Sequence, residues 1–191
     1  MGAGLPALCA LERARTFQYV VSGLARTGSR ATYGGLDFLQ GASGKRWGTK
    51  KKGPQAIGVS RGGLNTKIHA VCDALGNPLR FKLTAGNQSD TPELSGLIQG
   101  LPGQALLADK AYDSDAVVQE AINKGMEVVI PPKANRKEKR MFDAIKYRAR
   151  HLIENLFQRM KVYRRVATRY EKLDTRFLSI VHLVGAMKWL Q

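Results

Sequence analysis

The chain has 191 residues, of which 43% are hydrophobic, and this predicts one domain with a sizeable core and a looser extension. Its formal net charge of +16 far exceeds what solubility requires and predicts a polyanionic partner, although charge alone does not name that partner. Cys9 and Cys72 lie too far apart in sequence for a zinc motif and favour a reduced cytoplasmic compartment, and no apolar run reaches the roughly 18 residues of a membrane helix.

The first part of the chain shows little hydrophobic periodicity. Gly, Ser and Thr residues are scattered through residues 1–52, and no run there has the spacing of a strand or a helix. We therefore interpret residues 1–52 as an irregular N-terminal segment and expect the folded domain to cover residues 53–191.

Two alternating segments then predict a β-hairpin. In the segment 66–73, the side chains of Ile68, Ala70 and Cys72 point to one face of a strand. The segment 79–83 (LRFKL) alternates more cleanly, and the Gly-Asn-Pro between the two segments is a turn signal.

The rest of the chain alternates between helical and strand patterns. A capped helix start at 91–93 precedes the apolar run ALLA, whose uniform character predicts a buried central strand. The other predicted elements are a helix at 114–124, capped by Ser114 and closed by Gly125, a strand at 126–130, and helices at 142–162 and 175–190. A hairpin followed by alternating elements indicates an α/β fold with a mixed sheet flanked by helices.

The predicted helix at 142–162 carries the first indication of chemistry. Four polar residues recur there at helical spacing and share one side: Tyr147, Arg150, Glu154 and Lys161. A carboxylate among cations suits a site where acid holds a metal ion and base holds phosphate. An ordinary solvated face with incidental salt bridges is the alternative interpretation.

Asp109 favours the metal-site interpretation. It follows the run ALLA, and the C-terminal edge of a strand is where α/β sheets place working groups. A cap of the next loop is the alternative role, for which Asp113 and Asp115 are better suited. Carboxylates are natural ligands of Mg²⁺, and paired metal ions bind the attacking and leaving oxygens of a phosphodiester displacement.

Five stretches occur in an order that indicates a family: QAIGVSRGGLNTKIHAVCDALGNPLRFKLTAGNQSD, LLADKAYDSD, VIPPKANRK, YRARHLIENLFQRMKVYRRVATRYEKL and FLSIVHL. Over residues 53–191 the chain resembles the DDE transposases of bacterial insertion sequences, specifically the insertion-sequence-five family. The signature of that family is Tyr, two residues, Arg, three residues, Glu, six residues and Lys. The four residues of the predicted helix match it in full.

The resemblance implies an RNase H-like catalytic core that uses Mg²⁺ or Mn²⁺. Asp109 is then the second and Glu154 the third acid of the metal-binding triad. Tyr147, Arg150 and Lys161 are implied to support the site or to touch DNA.

The implied partner is DNA, both at the element's ends and at the target. We expect a homo-oligomer on DNA, located in the cytoplasm at the nucleoid and with no membrane association. Three arginines alternate with aromatic residues in VYRRVATRY and are also predicted to bind DNA: Arg164, Arg165 and Arg169.

The first acid of the family is missing where the resemblance requires it. A strand with a segment like V-D-S-T should precede the hairpin, but the window 33–49 holds only Asp37, off that position and without alternation around it. We hypothesise that residues 1 to 49 or so are read out of frame, because one shifted reading of synonymous codons restores such a motif. The sheet is then expected to be incomplete at its first strand.

Two functions from different classes follow. The first is a transposase that performs Mg²⁺-dependent DNA cleavage and strand transfer, truncated or frameshifted so that it lacks the first catalytic Asp. The second is a catalytically inactive DNA-binding protein derived from a transposase. An RNA-binding protein is disfavoured, because the chain lacks the aromatic sheet face of an RRM and the GXXG loop of a KH domain.

Overall fold

The computed structural model describes residues 18–28, 53–60, 63–137 and 140–190. The strands are β1 (Gln18–Gly28), β2 (Gly58–Ser60), β3 (Gly63–Cys72), β4 (Pro78–Ala85), β5 (Ala105–Ala108) and β6 (Glu127–Val129). The α-helices are α1 (Glu93–Ile98), α2 (Asp115–Asn123), α3 (Ala144–Tyr147), α4 (His151–Lys161), α5 (Arg164–Ala167) and α6 (Asp174–Trp189), with 3₁₀ turns at Lys110–Tyr112 and Arg148–Arg150. A search of this described part for a helix long and apolar enough to cross a membrane finds none.

Among the described residues, six strands form one mixed sheet. Its order is β2-β3-β1-β5-β6, and β4 also pairs with β3. β5 runs parallel to both β1 and β6, whereas β2 and β3 are antiparallel. The predicted α/β class with a mixed sheet is therefore confirmed, and so is the predicted hairpin, which is formed by β3 and β4.

β1 lies in the segment for which the sequence predicted no strand. Its residues Gln18 to Val21 pair with Ala105 to Ala108 of β5. A strand with partners on both edges becomes extended through tertiary pairing even when its own pattern is weak, which explains the wrong prediction for this stretch. The eleven residues of β1, QYVVSGLARTG, include neither Asp nor Glu. The domain boundary at residue 53 and the out-of-frame origin of the N-terminal segment stay predictions.

The chain divides into two compact units. The described parts of the first unit lie within residues 1–22, 70–80 and 89–156, and those of the second within 23–69, 81–88 and 157–191. Each unit is described separately below.

β5 lies at the centre of the first unit, and all four of its residues are buried. A strand that is paired on both edges and covered on both faces needs apolar side chains throughout, as the run ALLA predicted. The surrounding core consists of Val71, Leu94, Leu97, Ile98, Tyr112, Val117, Ala121, Met126 and Ile130. The Ser114 hydroxyl accepts the N–H of Val117 at 3.3 Å and caps α2, which ends just before Gly125 at φ +70°.

The second unit has its own buried side chains: Ile68, Phe81, Phe157, Met160, Val166, Phe177, Val181 and Val184. His69 Nε2 and Thr84 Oγ1 lie 2.8 Å apart inside it and form a buried hydrogen bond. Gly86 approaches Asn65 so closely that an added Cβ would stand 1.3 Å from the Asn65 side-chain oxygen, so a larger residue there would force the Asn65 side chain to move.

The helix predicted at 142–162 is present as α3, a 3₁₀ turn and α4 in direct succession. The Asp143 carboxylate begins it by accepting the N–H groups of Ile145 and Lys146 at 2.8 and 3.0 Å. The helix predicted at 175–190 is confirmed as α6.

Candidate active site

Asp109 directly follows β5, at the C-terminal end of that parallel strand. Its carbonyl accepts the N–H of Tyr112 at 2.9 Å, which fixes the start of the 3₁₀ turn. Its side chain keeps 25% of its surface exposed, so it is held by a buried strand and still reached by solvent. This is the position that the sequence predicted for a working carboxylate.

Arg150 contacts both acids that the sequence singled out. Its Nη1 lies 3.5 Å from Asp109 Oδ2, and its Nη2 pairs with Glu154 Oε1 one helical turn further along. Asp109 and Glu154 are 45 positions apart in the sequence, yet one guanidinium touches both. The two carboxylates therefore lie close together in the first unit.

Tyr147 extends the same cluster. The Arg150 guanidinium lies 5.9 Å from the centroid of its ring. Burial raises the pKa of Tyr147; the positive charge of Arg150 lowers this pKa, and the carboxylates of Asp109 and Glu154 raise it. The net direction is upward, so the phenol keeps its proton at neutral pH and is a hydrogen-bond donor.

The Asp109 and Glu154 carboxylates provide some, but not all, of the ligands expected for a divalent cation in a three-acid site. Two carboxylates that share one positive partner suit Mg²⁺, which protein sites hold with one or two acids plus substrate phosphates. No group of three or more His, Cys, Asp or Glu residues that could hold a metal ion occurs in the described ranges. The third acid of a complete triad is therefore not among the described residues near this pair.

A family model for the transposase DDE domain matches residues 25–187. The chain belongs to the transposase DDE domain family. The match begins inside the segment that the sequence analysis interpreted as irregular, and it ends in α6. Membership implies an RNase H-like α/β fold, with which the mixed sheet agrees.

Two relatives of this DDE domain are named for insertion sequences. A protein of Brucella ovis, described as a predicted transposase for insertion sequence element IS6501, is 41% identical over 132 residues, which cover 67% of this chain and 100% of the relative. A protein of Burkholderia cepacia, described as a predicted transposase for insertion sequence element IS402, is 31% identical over 140 residues. The second alignment covers 67% of this chain and 63% of that relative.

The other predicted DNA-binding residues of the DDE domain lie in the second unit. Lys161 is exposed at the end of α4, and no ion pair involves it in the described part of the chain. Arg164 is exposed and donates from Nε to the Tyr170 hydroxyl at 3.0 Å. Arg165 is also exposed and pairs with Glu171. These contacts leave the three cations at the surface, and their role in DNA binding stays a prediction.

Arg169 differs from these cations because its guanidinium is occupied inside the second unit. It donates to the carbonyl oxygens of Gln55, Glu171 and Lys172 at 2.7, 2.8 and 3.1 Å. It also bonds the Thr66 hydroxyl, and burial lowers its pKa. These contacts support a structural role, in which Arg169 joins the chain on either side of residue 170 to the segment at 53–56.

Asp113 holds the basic loop at 133–140, a role that its sequence context did not predict. Its side chain is fully buried and accepts the N–H of Lys133 at 2.8 Å, Arg136 Nη1 at 2.9 Å, and Arg140. Asp115, which is 86% exposed, pairs with the same two arginines. The cap of α2 is Ser114, as the sequence predicted. Two cations of the basic loop at 133–140 are thus used to hold that loop.

Proposed function

We propose that the chain is the transposase of an insertion sequence of the insertion-sequence-five family, which cleaves DNA at the element's ends and joins it to a target. The observation that carries this proposal is the convergence of Asp109 and Glu154 on Arg150 within a transposase DDE domain. The descriptions of both relatives refer to insertion sequences, which supports the same activity here.

Mg²⁺ or Mn²⁺ is the proposed cofactor, with Asp109 and Glu154 as the residues that hold it. When bound, such an ion supplies Lewis acidity to a phosphodiester displacement. The residues around the acids orient the DNA: the neutral Tyr147 phenol donates a hydrogen bond, and the planar Arg150 guanidinium recognises a phosphate with two parallel donors.

Further proposed DNA contacts are three exposed cations of the second unit: Lys161, Arg164 and Arg165. Neutralising several phosphates in this way produces binding that weakens steeply with salt. On this proposal the protein acts in the cytoplasm, on the nucleoid, as a homo-oligomer bound to the element's ends. DNA binding by Arg169 stays a prediction from the sequence. Its contacts within the second unit support a structural role instead.

A catalytically inactive DNA-binding protein derived from a transposase is the second candidate. One observation favours it: β1 pairs with β5 directly beside Asp109, yet β1 carries no acid. If residues 1 to 49 or so are read out of frame, the original first strand with its acid has been replaced by an unrelated sequence. The nucleotide sequence tests this origin, because a shifted frame without an Asp codon across residues 35–36 contradicts it.

Incubation of the purified protein with a plasmid that carries the element's own ends, in Mg²⁺ or Mn²⁺, tests both candidates. A transposase produces strand breaks at the ends, and Asp109→Asn or Glu154→Gln abolishes them, whereas Glu120→Gln on the surface of α2 leaves them unchanged. DNA binding without any strand break supports the inactive DNA-binding protein. Absence of DNA binding contradicts both candidates.

A further inference from the structure

Two arginines of the basic loop at 133–140 each bridge the same pair of carboxylates in the first unit. Arg136 Nη1 lies 2.9 Å from Asp113 Oδ1, and its Nη2 pairs with Asp115 Oδ1. Arg140 Nη2 pairs with Asp113 Oδ1, and its Nη1 lies 3.3 Å from Asp115 Oδ1. Each guanidinium therefore directs one donor to a shared oxygen of Asp113 and another donor to a shared oxygen of Asp115.

The two aspartates differ in how firmly they hold these arginines. The Asp113 side chain is fully buried and also accepts the N–H of Lys133 at 2.8 Å, whereas the Asp115 side chain is 86% exposed. Removal of the cations from a buried carboxylate costs much free energy, so Asp113 keeps both arginines in place. An exposed ion pair contributes little, because water and salt compete for it. Another anion can therefore replace Asp115 at little cost.

The position that Asp115 occupies suits an oxyanion with a single charge. Asp113 neutralises one arginine, so withdrawal of Asp115 leaves one positive charge on the group that remains. A DNA phosphodiester carries one negative charge and restores neutrality there. Its two unesterified oxygens match the planar fork of a guanidinium, which binds phosphate with parallel donors. The side chains of Arg136 and Arg140 are 19% and 28% exposed, so a ligand in solvent can reach them.

The displaced carboxylate also keeps a favourable location. Asp115 is the first residue of α2, and the N-terminus of a helix stabilises negative charge. Its side chain can therefore turn away from the arginines without losing every favourable interaction.

We propose that Arg136 and Arg140 bind a phosphate of the DNA backbone, and that Asp115 holds the place of this phosphate in the DNA-free protein. The inference rests on the proposed function and deepens it, because it assigns a DNA contact to residues outside the cluster of Asp109 and Glu154. Asp113 is a positioning residue in this proposal, since it fixes both guanidiniums and does not touch the DNA.

Binding of a short linear duplex, measured by fluorescence anisotropy at one fixed salt concentration, tests the proposal. Asp115→Asn is expected to tighten binding about fivefold, because the phosphate no longer has to displace a carboxylate. Glu120→Gln is the matched control. It removes the same charge from the same helix, and Glu120 contacts Lys124 and Ser95 rather than either arginine. This control should change the affinity less than about twofold.

Arg136→Gln supplies a second measurement. It leaves Asp113 paired with Arg140 and with the Lys133 N–H, so the fold should be retained, which circular dichroism checks. This variant should bind the duplex more weakly than wild type. Addition of Asp115→Asn to it should tighten binding less than about twofold, because one of the two arginines that the substitution releases is already gone.

Equal tightening by Asp115→Asn and Glu120→Gln overturns the proposal and leaves the proposed function standing. Unchanged or weaker binding in Asp115→Asn does the same, and so does full tightening in the Arg136→Gln background. The comparison of Asp115→Asn with Glu120→Gln decides the question even if Arg136→Gln does not fold. Failure of the wild-type protein to bind the duplex contradicts the proposed function as well.

Titration with inorganic phosphate distinguishes a free anion from DNA at this position. If Asp115→Asn tightens the binding of inorganic phosphate but not of the duplex, the arginines take a free anion and the proposal is overturned.

Discussion

Arg150 Nη1 lies 3.5 Å from Asp109 Oδ2, although the two residues are 41 positions apart in the chain. The same guanidinium pairs with Glu154, so one positive charge serves two acids. A cation that neutralises a pair of carboxylates competes with any metal ion for them. If the pair is a metal site, Arg150 must give up these contacts when the ion binds.

Arg150→Gln is therefore expected to raise the Mn²⁺ affinity of the DNA-free protein, by about tenfold for a competing contact of this kind. Arg148→Gln removes the same charge two positions away without touching either acid and should leave the affinity near that of wild type. Titration with Mn²⁺, followed by electron paramagnetic resonance of the free ion, measures both. An unchanged affinity in Arg150→Gln means that Arg150 does not compete for the carboxylates.

Asp113→Asn should destabilise the protein by about 3 kcal/mol, because it leaves two arginines beside a buried group that no longer carries charge. Asp115→Asn removes an exposed partner of the same arginines and should change the free energy of unfolding by less than about 1 kcal/mol. Urea unfolding followed by circular dichroism compares the two variants. Equal effects would show that burial of Asp113 contributes nothing beyond a surface ion pair.

Arg169→Gln should lower the free energy of unfolding by at least about 2 kcal/mol, because several carbonyl oxygens lose a charged donor. Arg164→Gln, at an exposed neighbouring site, should leave stability nearly unchanged and weaken DNA binding instead. Urea unfolding and salt-dependent DNA binding, measured on both variants, separate the two roles. A stable Arg169→Gln protein with weakened DNA binding would assign Arg169 to the DNA surface.

The buried phenol of Tyr112 should lower the free energy of unfolding at alkaline pH. Burial, followed by the charges of Asp90, Asp109 and Glu93, raises the pKa of Tyr112 far above its ordinary value. Above pH of about 10 the unfolded chain therefore loses a proton that the folded chain retains, and the free energy of unfolding falls by about 1.4 kcal/mol per pH unit.

Tyr112→Phe removes this part of the pH dependence, so the difference between variant and wild type should shrink or reverse as the pH rises beyond that point. Urea unfolding at a series of alkaline pH values measures it. Tyr170→Phe, at an exposed tyrosine, is the control and should keep the wild-type slope. Parallel curves for Tyr112→Phe and wild type would mean that the phenol ionises equally in both states.

Much of the first unit could be predicted because its patterns are local. The run ALLA, the Ser114 cap and the Gly125 terminus each depend on residues close in sequence, and the structure confirms the elements that they predicted. The hairpin follows from alternation and a turn. There the Asp73 carboxylate accepts the N–H groups of Leu75 and Asn77 at 2.9 and 2.8 Å.

β1 could not be predicted, because its extended form depends on partners that come much later in the chain. Its sequence interrupts apolar residues with Gly and Ser, and pairing with β3 on one edge and β5 on the other makes it part of the sheet. The contacts of Asp113 were missed for a related reason. Long arginine side chains from positions 136 and 140 reach it, and sequence spacing does not show where such side chains end.

The sequence predicted which residues belong to the candidate site, but it did not predict which of their charged groups contact each other. Helical spacing and the family signature pointed to Arg150 and Glu154, and a strand end pointed to Asp109. That the arginine bridges the two acids depends on the contact between the 3₁₀ turn Arg148–Arg150 and β5, which no local pattern encodes. The internal hydrogen bonds of Arg169 could not be predicted either, because nothing in the sequence distinguishes Arg169 from the exposed Arg164 and Arg165.

The burial of β5 determines how durable the candidate site is. A four-residue strand with neighbours on both edges and no exposed face opens to solvent only when much of the first unit opens with it. The amide protons of Leu106 and Leu107 should accordingly be among the slowest to exchange with heavy water. Because Asp109 directly follows β5, its backbone should keep its position even when the neighbouring basic loop at 133–140 opens locally.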